Sequence, residues 1–319
     1  MRYAAAFAVA LLIVYLLIPL LRRTALRIGF VDKPSPDKER KLHKEPVPLA
    51  AGIAIFAGVA VSYALFVSGY GRETWGTLTG ALLILGIGTV DDWFKTQGRE
   101  FPALPKMLIQ VLAAVVVYAS GIVFVGFVNP FTHEMVILPT VVQFLLTVLW
   151  IFGVTTVINF SDGMDGLAGG LSAISAMTLF VVALAKGQSD SALVAIMLVG
   201  AAIGYLKYNK PPAKIYMGDA GATFLGFMLA VIALDGAFKQ ATVLSLFIPI
   251  LALGVPIFDN LFVVVRRLLA GKPIYQADAT QVHYRLLSAG LNPKQVLAVL
   301  CLVSVCFSLS SIILLLLPV

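Results

Sequence analysis

The chain has 319 residues, of which 60% are hydrophobic and only 12% charged, with a mean hydropathy of +0.97 and a formal net charge of +7. A water-soluble domain of this length needs more polar surface than these residues supply. Its two cysteines, Cys301 and Cys306, both fall in the last apolar stretch and are too few for a disulfide framework or a Cys/His metal site. No basic stripe with interleaved aromatics points to nucleic acid, so no nucleic-acid partner is expected.

A helix needs roughly 20 apolar residues to cross the hydrocarbon core. Ten segments qualify: 3–21, 48–68, 75–90, 106–126, 137–158, 166–186, 190–207, 220–236, 241–265 and 295–317. Two of these are short and two are joined by a tight loop, so nine or eleven spans also fit. The first ends in Arg22-Arg23 without a small-x-small cleavage site, so a retained helix is expected rather than a cleaved signal. The expectation is an all-α polytopic membrane protein, with 1–319 forming one integral-membrane domain. No internal repeat or low-complexity stretch is visible.

Basic residues set the orientation. The loop at 22–47 carries 8 Lys and Arg, those at 91–106 and 207–219 carry 3 each, and that at 266–294 carries 5. These loops lie on one side and hold 19 of the 23 basic residues. That side is therefore expected to be cytoplasmic, with both termini outside, and the net charge also favours contact with anionic membrane lipid.

The acidic motifs fall on the same side. Asp91-Asp92 closes the third segment, Asn159-Phe160-Ser161-Asp162-Gly163-Met164-Asp165-Gly166 joins the fifth and sixth, and Met217-Gly218-Asp219 opens the eighth. Adjacent carboxylates beside lipid repel one another and are best tolerated around a cation. A polar helix stop with Lys95 as partner explains Asp91-Asp92 alone about as well. If helical, the 159–165 stretch would place Asn159, Asp162 and Asp165 on one face, able to hold Mg²⁺ through water or to bond ribose and base. An interhelical turn with Asx caps accounts for one Asp and one Gly of it, but poorly for both. In Asn209-Lys210-Pro211-Pro212-Ala213-Lys214-Ile215-Tyr216-Met217-Gly218-Asp219, the lysines suit phosphates, Tyr216 suits stacking on a base, and Asp219 suits a helix N-terminus or a simple N-cap. Asp259, within the ninth segment, should face the bundle. His283 and Arg285 suit phosphate or sugar hydroxyls, though a lone His in a polar loop is more often merely solvated. Carboxylates and lysines at a wet face on a lipid-embedded body suit metal-assisted phosphoryl chemistry on a lipid substrate.

At these residues the chain resembles the polyprenyl-phosphate N-acetylhexosamine-1-phosphate transferases, in particular the branch that starts wall teichoic acid and O-antigen assembly. The resemblance runs from Arg40-Lys41-Leu42-His43 through Asp91-Asp92, 159–170 and 211–219 to Pro256–Asp259. It implies that polyprenyl phosphate attacks the β-phosphorus of a UDP-sugar, with UDP-GlcNAc favoured, in the bacterial plasma membrane and with the active site facing the cytoplasm. Asp91 and Asp92 match the family's essential pair and are its expected catalytic residues. Asp219 and Asp92 are the expected ligands of Mg²⁺, or of Mn²⁺ in its place. Asn159, Asp162, Asp165 and Tyr216 match the nucleotide site, and Lys41, His43, Lys214, His283 and Arg285 the phosphate and sugar side. Expected partners are the polyprenyl phosphate, the UDP-sugar and membrane lipid, with a homodimer as an allowed assembly that no sequence feature specifies.

The chain departs from the family pattern in several places. Leu49-Ala50-Ala51-Gly52 stands where Arg-x-Gly-Gly is usual, Thr156 where an Asn is usual, and Ala220 and Ala222 flank Gly221 in place of serines. Gln281-Val282-His283-Tyr284-Arg285-Leu286 stands for His-x-His-His-Arg-Leu, so two of three histidines are absent. An active transferase is the expectation. A weakened paralogue that only binds lipid phosphate or nucleotide is the alternative, with a transporter behind it.

Overall fold

The structure is a computed structural model that describes residues 1–34, 45–129, 132, 134–237, 246–271 and 280–316. Lys41 and His43 lie outside the described residues. The described chain is almost wholly helical: α1 (Arg2–Ile28), α2 (Ala51–Phe66), α3 (Arg72–Thr96), α4 (Ala103–Ser120), α5 (Thr140–Phe160), α6 (Leu167–Ala185), α7 (Ser189–Asn209), α8 (Gly218–Ile232), α9 (Phe247–Ala252), α10 (Gly254–Leu269), α11 (Val282–Ser288) and α12 (Pro293–Leu316). Among the described residues, eight helical stretches are long and apolar enough to cross a membrane, and α2 is a shorter apolar helix. The expected polytopic all-α architecture holds.

Two pairs of short antiparallel strands join the helices, β1 (Val31–Asp32) with β2 (Val47–Pro48) and β3 (Gly126–Val128) with β4 (Met135–Ile137). The first pair extends toward α8. Tyr216 N–H donates to Pro48 O at 2.8 Å, and Ala51 N–H donates to Tyr216 O at 3.1 Å.

The ninth expected segment, 241–265, is not one helix. Its described part breaks at Leu253 into α9 and α10. Pro249 and Pro256 lack the amide hydrogens that a continuous ladder needs, which weakens the helix on both sides of the break. Beyond the break, α10 exposes Phe258, Leu261, Phe262, Val265, Leu268 and Leu269. It packs on α5, α9 and α12 only along a narrow stripe. The third segment runs further than expected, so Asp91 and Asp92 lie within α3 rather than after it.

At the centre is α8, packed against α2, α3, α5, α6 and α7. Every residue from Ala220 to Leu234 is buried, because no charge interrupts the sequence between Asp219 and Asp235. A helix surrounded in this way needs close neighbours. Gly88 of α3 meets the α8 backbone, and a Cβ there would come within 2.6 Å of Ala220 N. Neighbouring Gly86 faces open space.

This difference makes a paired prediction. Gly88→Ala should lower the midpoint of thermal unfolding in detergent by roughly 5 °C or more, since backbone cannot move aside as a side chain can. Gly86→Ala should leave it unchanged or slightly raised, because Ala is the better helix former. Equal midpoints for the two variants would show that the α3–α8 contact is not tight.

Candidate active site

Three carboxylates and two ammonium groups meet where α3, α4 and α8 converge. Asp91 and Asp92 come from the last turns of α3, Lys95 follows one turn later, Lys106 opens α4, and Asp219 opens α8. Lys106 Nζ lies 2.8 Å from Asp91 Oδ2 and also contacts Asp219 Oδ2. Lys95 Nζ lies 2.5 Å from Asp219 Oδ1, 3.5 Å from Asp91 Oδ2 and 3.8 Å from Asp92 Oδ1. Helical spacing brings Lys95 back over both aspartates, and the short turn at 97–102 folds Lys106 onto the same point.

The adjacent aspartates do different things. Asp92 is fully buried and turns toward α8, where Oδ1 accepts Asp219 N–H at 2.8 Å and Oδ2 accepts Ala220 N–H at 3.0 Å. Asp91 turns toward the lysines. Asp92, one of the two expected metal ligands, accepts one backbone amide on each of its oxygens.

The remaining hard oxygens fit a magnesium ion in the manner usual for that ion. Mg²⁺ is commonly held by one or two carboxylates, with waters and substrate phosphates completing the shell. Asp91 and Asp219 supply that many. Among the described residues no three His, Cys, Asp or Glu side chains form an all-protein cage, so any ion here would depend on the substrate for further ligands.

Two loops wall the cluster. Residues 161–166 form an irregular turn and not the helical stretch that would align Asn159, Asp162 and Asp165 on one face. Asn159 is in the last turn of α5, and its carbonyl accepts Asp162 N–H at 3.2 Å. Burial, and then the nearby Asp219 charge, push the Asp162 carboxyl up to about 7, against the pull of Lys95. Asp165 faces the other loop, where its Oδ2 accepts Ala213 N–H at 2.8 Å and its carboxylate also bonds the Tyr216 hydroxyl. Burial and Asp165 raise the Tyr216 phenol above its ordinary value, so it stays protonated and able to donate. Asn209 ties the loops together by accepting Gly166 N–H at 2.8 Å and donating to Ile215 O at 2.9 Å. Lys214 is exposed, and its carbonyl accepts Arg22 Nε–H at 3.0 Å.

The last loop closes over the first. Gln281 Nε2 donates to Phe160 O at 2.8 Å, and Val282 N–H donates to Asp259 Oδ1 at 2.8 Å, so α11 is pinned to the end of α5 and to the body of α10. Asp259 therefore caps a helix from inside the bundle. His283 is buried against Gly163, where a Cβ would come within 2.8 Å of His283 Cε1, and its Nε2 has no hydrogen-bond partner. Burial lowers its imidazole to about 4, leaving it neutral at physiological pH. Arg285 is exposed and stacks over Phe262 at 4.7 Å.

The structure thus gathers Asp91, Asp92, Asp162 and Asp219 in one group, Asp165 and Tyr216 in a second, and His283 over the turn between them. Lys214 and Arg285 lie at the rim. Lys106, Asn209 and Gln281 were not singled out as site residues by sequence reasoning. For Lys106 the only available signal was its position eight residues past Gly98, beyond a short polar turn.

Comparison with known proteins agrees with this geometry. A model of glycosyl transferase family 4 matches residues 74–237, which include the whole α3–α4–α8 cluster and both walling loops. A Bacillus subtilis protein described as a probable undecaprenyl-phosphate N-acetylglucosaminyl 1-phosphate transferase is 39% identical over 315 residues, covering 98% of this chain and 85% of that protein. The decaprenyl-phosphate N-acetylglucosaminephosphotransferase of Mycobacterium tuberculosis strain H37Rv is 30% identical, over 92% of this chain and 78% of its own. The undecaprenyl-phosphate alpha-N-acetylglucosaminyl 1-phosphate transferase of Escherichia coli K12 is 26% identical, over 88% and 75%.

The neutral His283 has a stability consequence. With its folded pKa near 4 and an ordinary value of 6.5, the unfolded chain binds the proton first as pH falls. Its contribution is therefore complete above about pH 6.5 and is lost as pH drops toward 4. Between pH 6.5 and 4.5 the parent should lose on the order of 2 kcal/mol more stability than His283→Gln, seen as a few degrees in thermal unfolding. Parallel losses in the two proteins would mean that the imidazole is not held neutral.

Proposed function

The chain belongs to glycosyl transferase family 4, and we propose that it transfers N-acetylglucosamine 1-phosphate from UDP-GlcNAc to a polyprenyl phosphate, giving a lipid-pyrophosphate-sugar and UMP. The observation that carries this reading is the cluster of Asp91, Asp219, Lys95 and Lys106 at one end of an apolar helical bundle, beside the 161–166 turn. Carboxylates and ammonium groups so placed suit two phosphate-bearing substrates, one of them embedded in lipid.

The lipid phosphate is already anionic near neutral pH, so it needs positioning more than a strong base. Its oxygen forms the new bond to the β-phosphorus as the bond to the UMP oxygen breaks. Lys95 and Lys106 can leave their carboxylates for phosphate oxygens, offsetting charge that gathers on the pyrophosphate. Asp219 and Asp91 are the residues that would hold Mg²⁺ or Mn²⁺. Such an ion, when bound, supplies Lewis-acid neutralisation of the pyrophosphate. Tyr216 offers a ring for uracil. Asn159, Asp162 and Asp165 offer acceptors for ribose and base, while Lys214, His283 and Arg285 line the sugar-phosphate side. Gln281 and Tyr284, which stand where the family pattern has histidines, make contacts of their own, with Phe160 O and with the His283 ring. This supports an adapted surface over a degraded one.

The cluster faces the cytoplasm of a bacterial cell in this reading, because the basic residues concentrate on that side. Ser68→Cys and Gln97→Cys, each in a Cys301/Cys306-free background, sit beyond opposite ends of α3. A membrane-impermeant thiol reagent added to intact cells should label the first and spare the second. The reverse pattern would invert the topology.

Purified protein given undecaprenyl phosphate, UDP-GlcNAc and Mg²⁺ should release UMP. Asp219→Asn should lower kcat at least about a hundredfold while thermal unfolding stays near that of the parent. EDTA should stop turnover, and Mn²⁺ or Mg²⁺ should restore it. Undiminished activity in EDTA would remove the metal from the reading, and no UMP from any UDP-sugar would remove the transferase.

A further inference from the structure

The first turn of α8 has an unusual set of hydrogen-bond partners. The first amides of a helix have no intrahelical acceptor. Here four amides around that start find acceptors. Met217 N–H donates to the buried Tyr205 hydroxyl at 3.1 Å, and Gly221 N–H donates to Met217 O at 3.1 Å. Asp219 and Ala220 donate one each to the two oxygens of Asp92, at 2.8 and 3.0 Å. The capping side chain therefore comes from α3, 127 residues earlier in the chain, and not from the N-cap residue Met217.

The surroundings are shaped to this contact. Asp92 is fully buried. Gly218 has φ +66, and a Cβ there would come within 2.6 Å of Asp92 Cγ. Gly88, one turn before Asp92 on α3, leaves room for Ala220. Each oxygen of this enclosed carboxylate accepts one amide of the first turn, and its charge complements the positive end of the helix.

We propose that Asp92 is a positioning residue, a helix cap acting in trans, that fixes the start of α8 and so aims Asp219 at Asp91, Lys95 and Lys106. The two adjacent aspartates divide the work: Asp91 faces the reaction centre and Asp92 faces the scaffold. The consequence for turnover rests on the proposed transferase reading, whereas the anchoring itself does not.

The test uses hydrogen exchange of the detergent-purified full chain, followed in peptides covering 217–223. Asp92→Asn keeps the shape of the side chain but can accept only one of the two amides. It should speed exchange in the first turn of α8 by roughly tenfold or more, with Asp92→Ala faster still. Asp91→Asn should leave that exchange at the parent rate. Mn²⁺ binding, read by electron paramagnetic resonance without substrate, forms the second arm. Asp219→Asn should abolish it, and Asp92→Asn should retain it with affinity reduced less than about tenfold. If Asp92→Asn loses Mn²⁺ as completely as Asp219→Asn while α8 exchange is unchanged, Asp92 is a metal ligand and the proposal is overturned. Unchanged exchange in Asp92→Ala overturns it as well, whatever the metal does. If the parent turns over no UDP-sugar yet the exchange pattern holds, the transferase reading fails and the cap stands.

Discussion

A helix that begins inside a bundle must find acceptors for its first amides, and α8 begins where five other helices surround it. Neither lipid nor bulk water can serve at Ala220, which is buried. The acceptors come instead from the Asp92 carboxylate and the Tyr205 hydroxyl. Everything chemical in the site hangs on that arrangement. Once the first turn of α8 is fixed, Asp219 has one direction to face, the 210–217 loop has one place to enter, and α3 must approach as closely as Gly88 allows. The scaffold and the site are thus joined by shared residues, and no separate framework carries the reacting groups.

Electrostatics then decides what lies around Asp219. Removing two ions from water costs several kcal/mol each, and a buried pair often stabilises less than an apolar replacement would. Holding Asp91, Asp92 and Asp219 with Lys95 and Lys106 at a membrane edge is therefore poor design for stability alone. It is good design for a site that must receive a pyrophosphate and a lipid phosphate. The ammonium groups keep the carboxylates together in the meantime, and they are the groups an incoming anion would draw away. Asp162, raised to about 7, lies in the field of the same cluster and adds a carboxyl that changes charge near physiological pH.

Much of this was legible in the residues. Long apolar runs fixed the polytopic class, since lipid demands about 20 residues per crossing. The basic asymmetry and the alternation of segments brought the three acidic motifs to one end, which is where the structure places them. Two kinds of feature were not legible. Contacts set by backbone approach leave little trace in composition, so the capping role of Asp92 and the tie made by Asn209 were invisible beside the simpler idea that every motif aspartate binds a ligand. Irregular backbone was legible only in part: 159–165 stood open between a helical face and an interhelical turn, and 241–265 looked like one span. In the first case the glycines at 163 and 166 interrupt the helix, and in the second two prolines do. Lys106 was counted as loop charge because its partner Asp91 lies across a turn, where helical spacing gives no guide.

The last loop shows how the same pattern can be rebuilt with different chemistry. Three imidazoles near a pyrophosphate could share positive charge. Here His283 is buried and neutral, Gln281 spends its amide on Phe160 O, and Tyr284 lies against the His283 ring with centroids 4.1 Å apart. The one cation of residues 280–291 is Arg285. Its stack on Phe262 restrains the guanidinium plane but leaves the edges, with their fixed fork of donors, open to a phosphate or a sugar hydroxyl. The loop therefore works through docking and one oriented guanidinium, not through a cluster of titrating rings. A loop held by Asp259 and Gln281 can keep its position while its charge changes, because neither contact depends on an imidazole. In the proposed transferase, replacing two histidines would then change which donors meet the sugar without loosening the turn that carries Asp162.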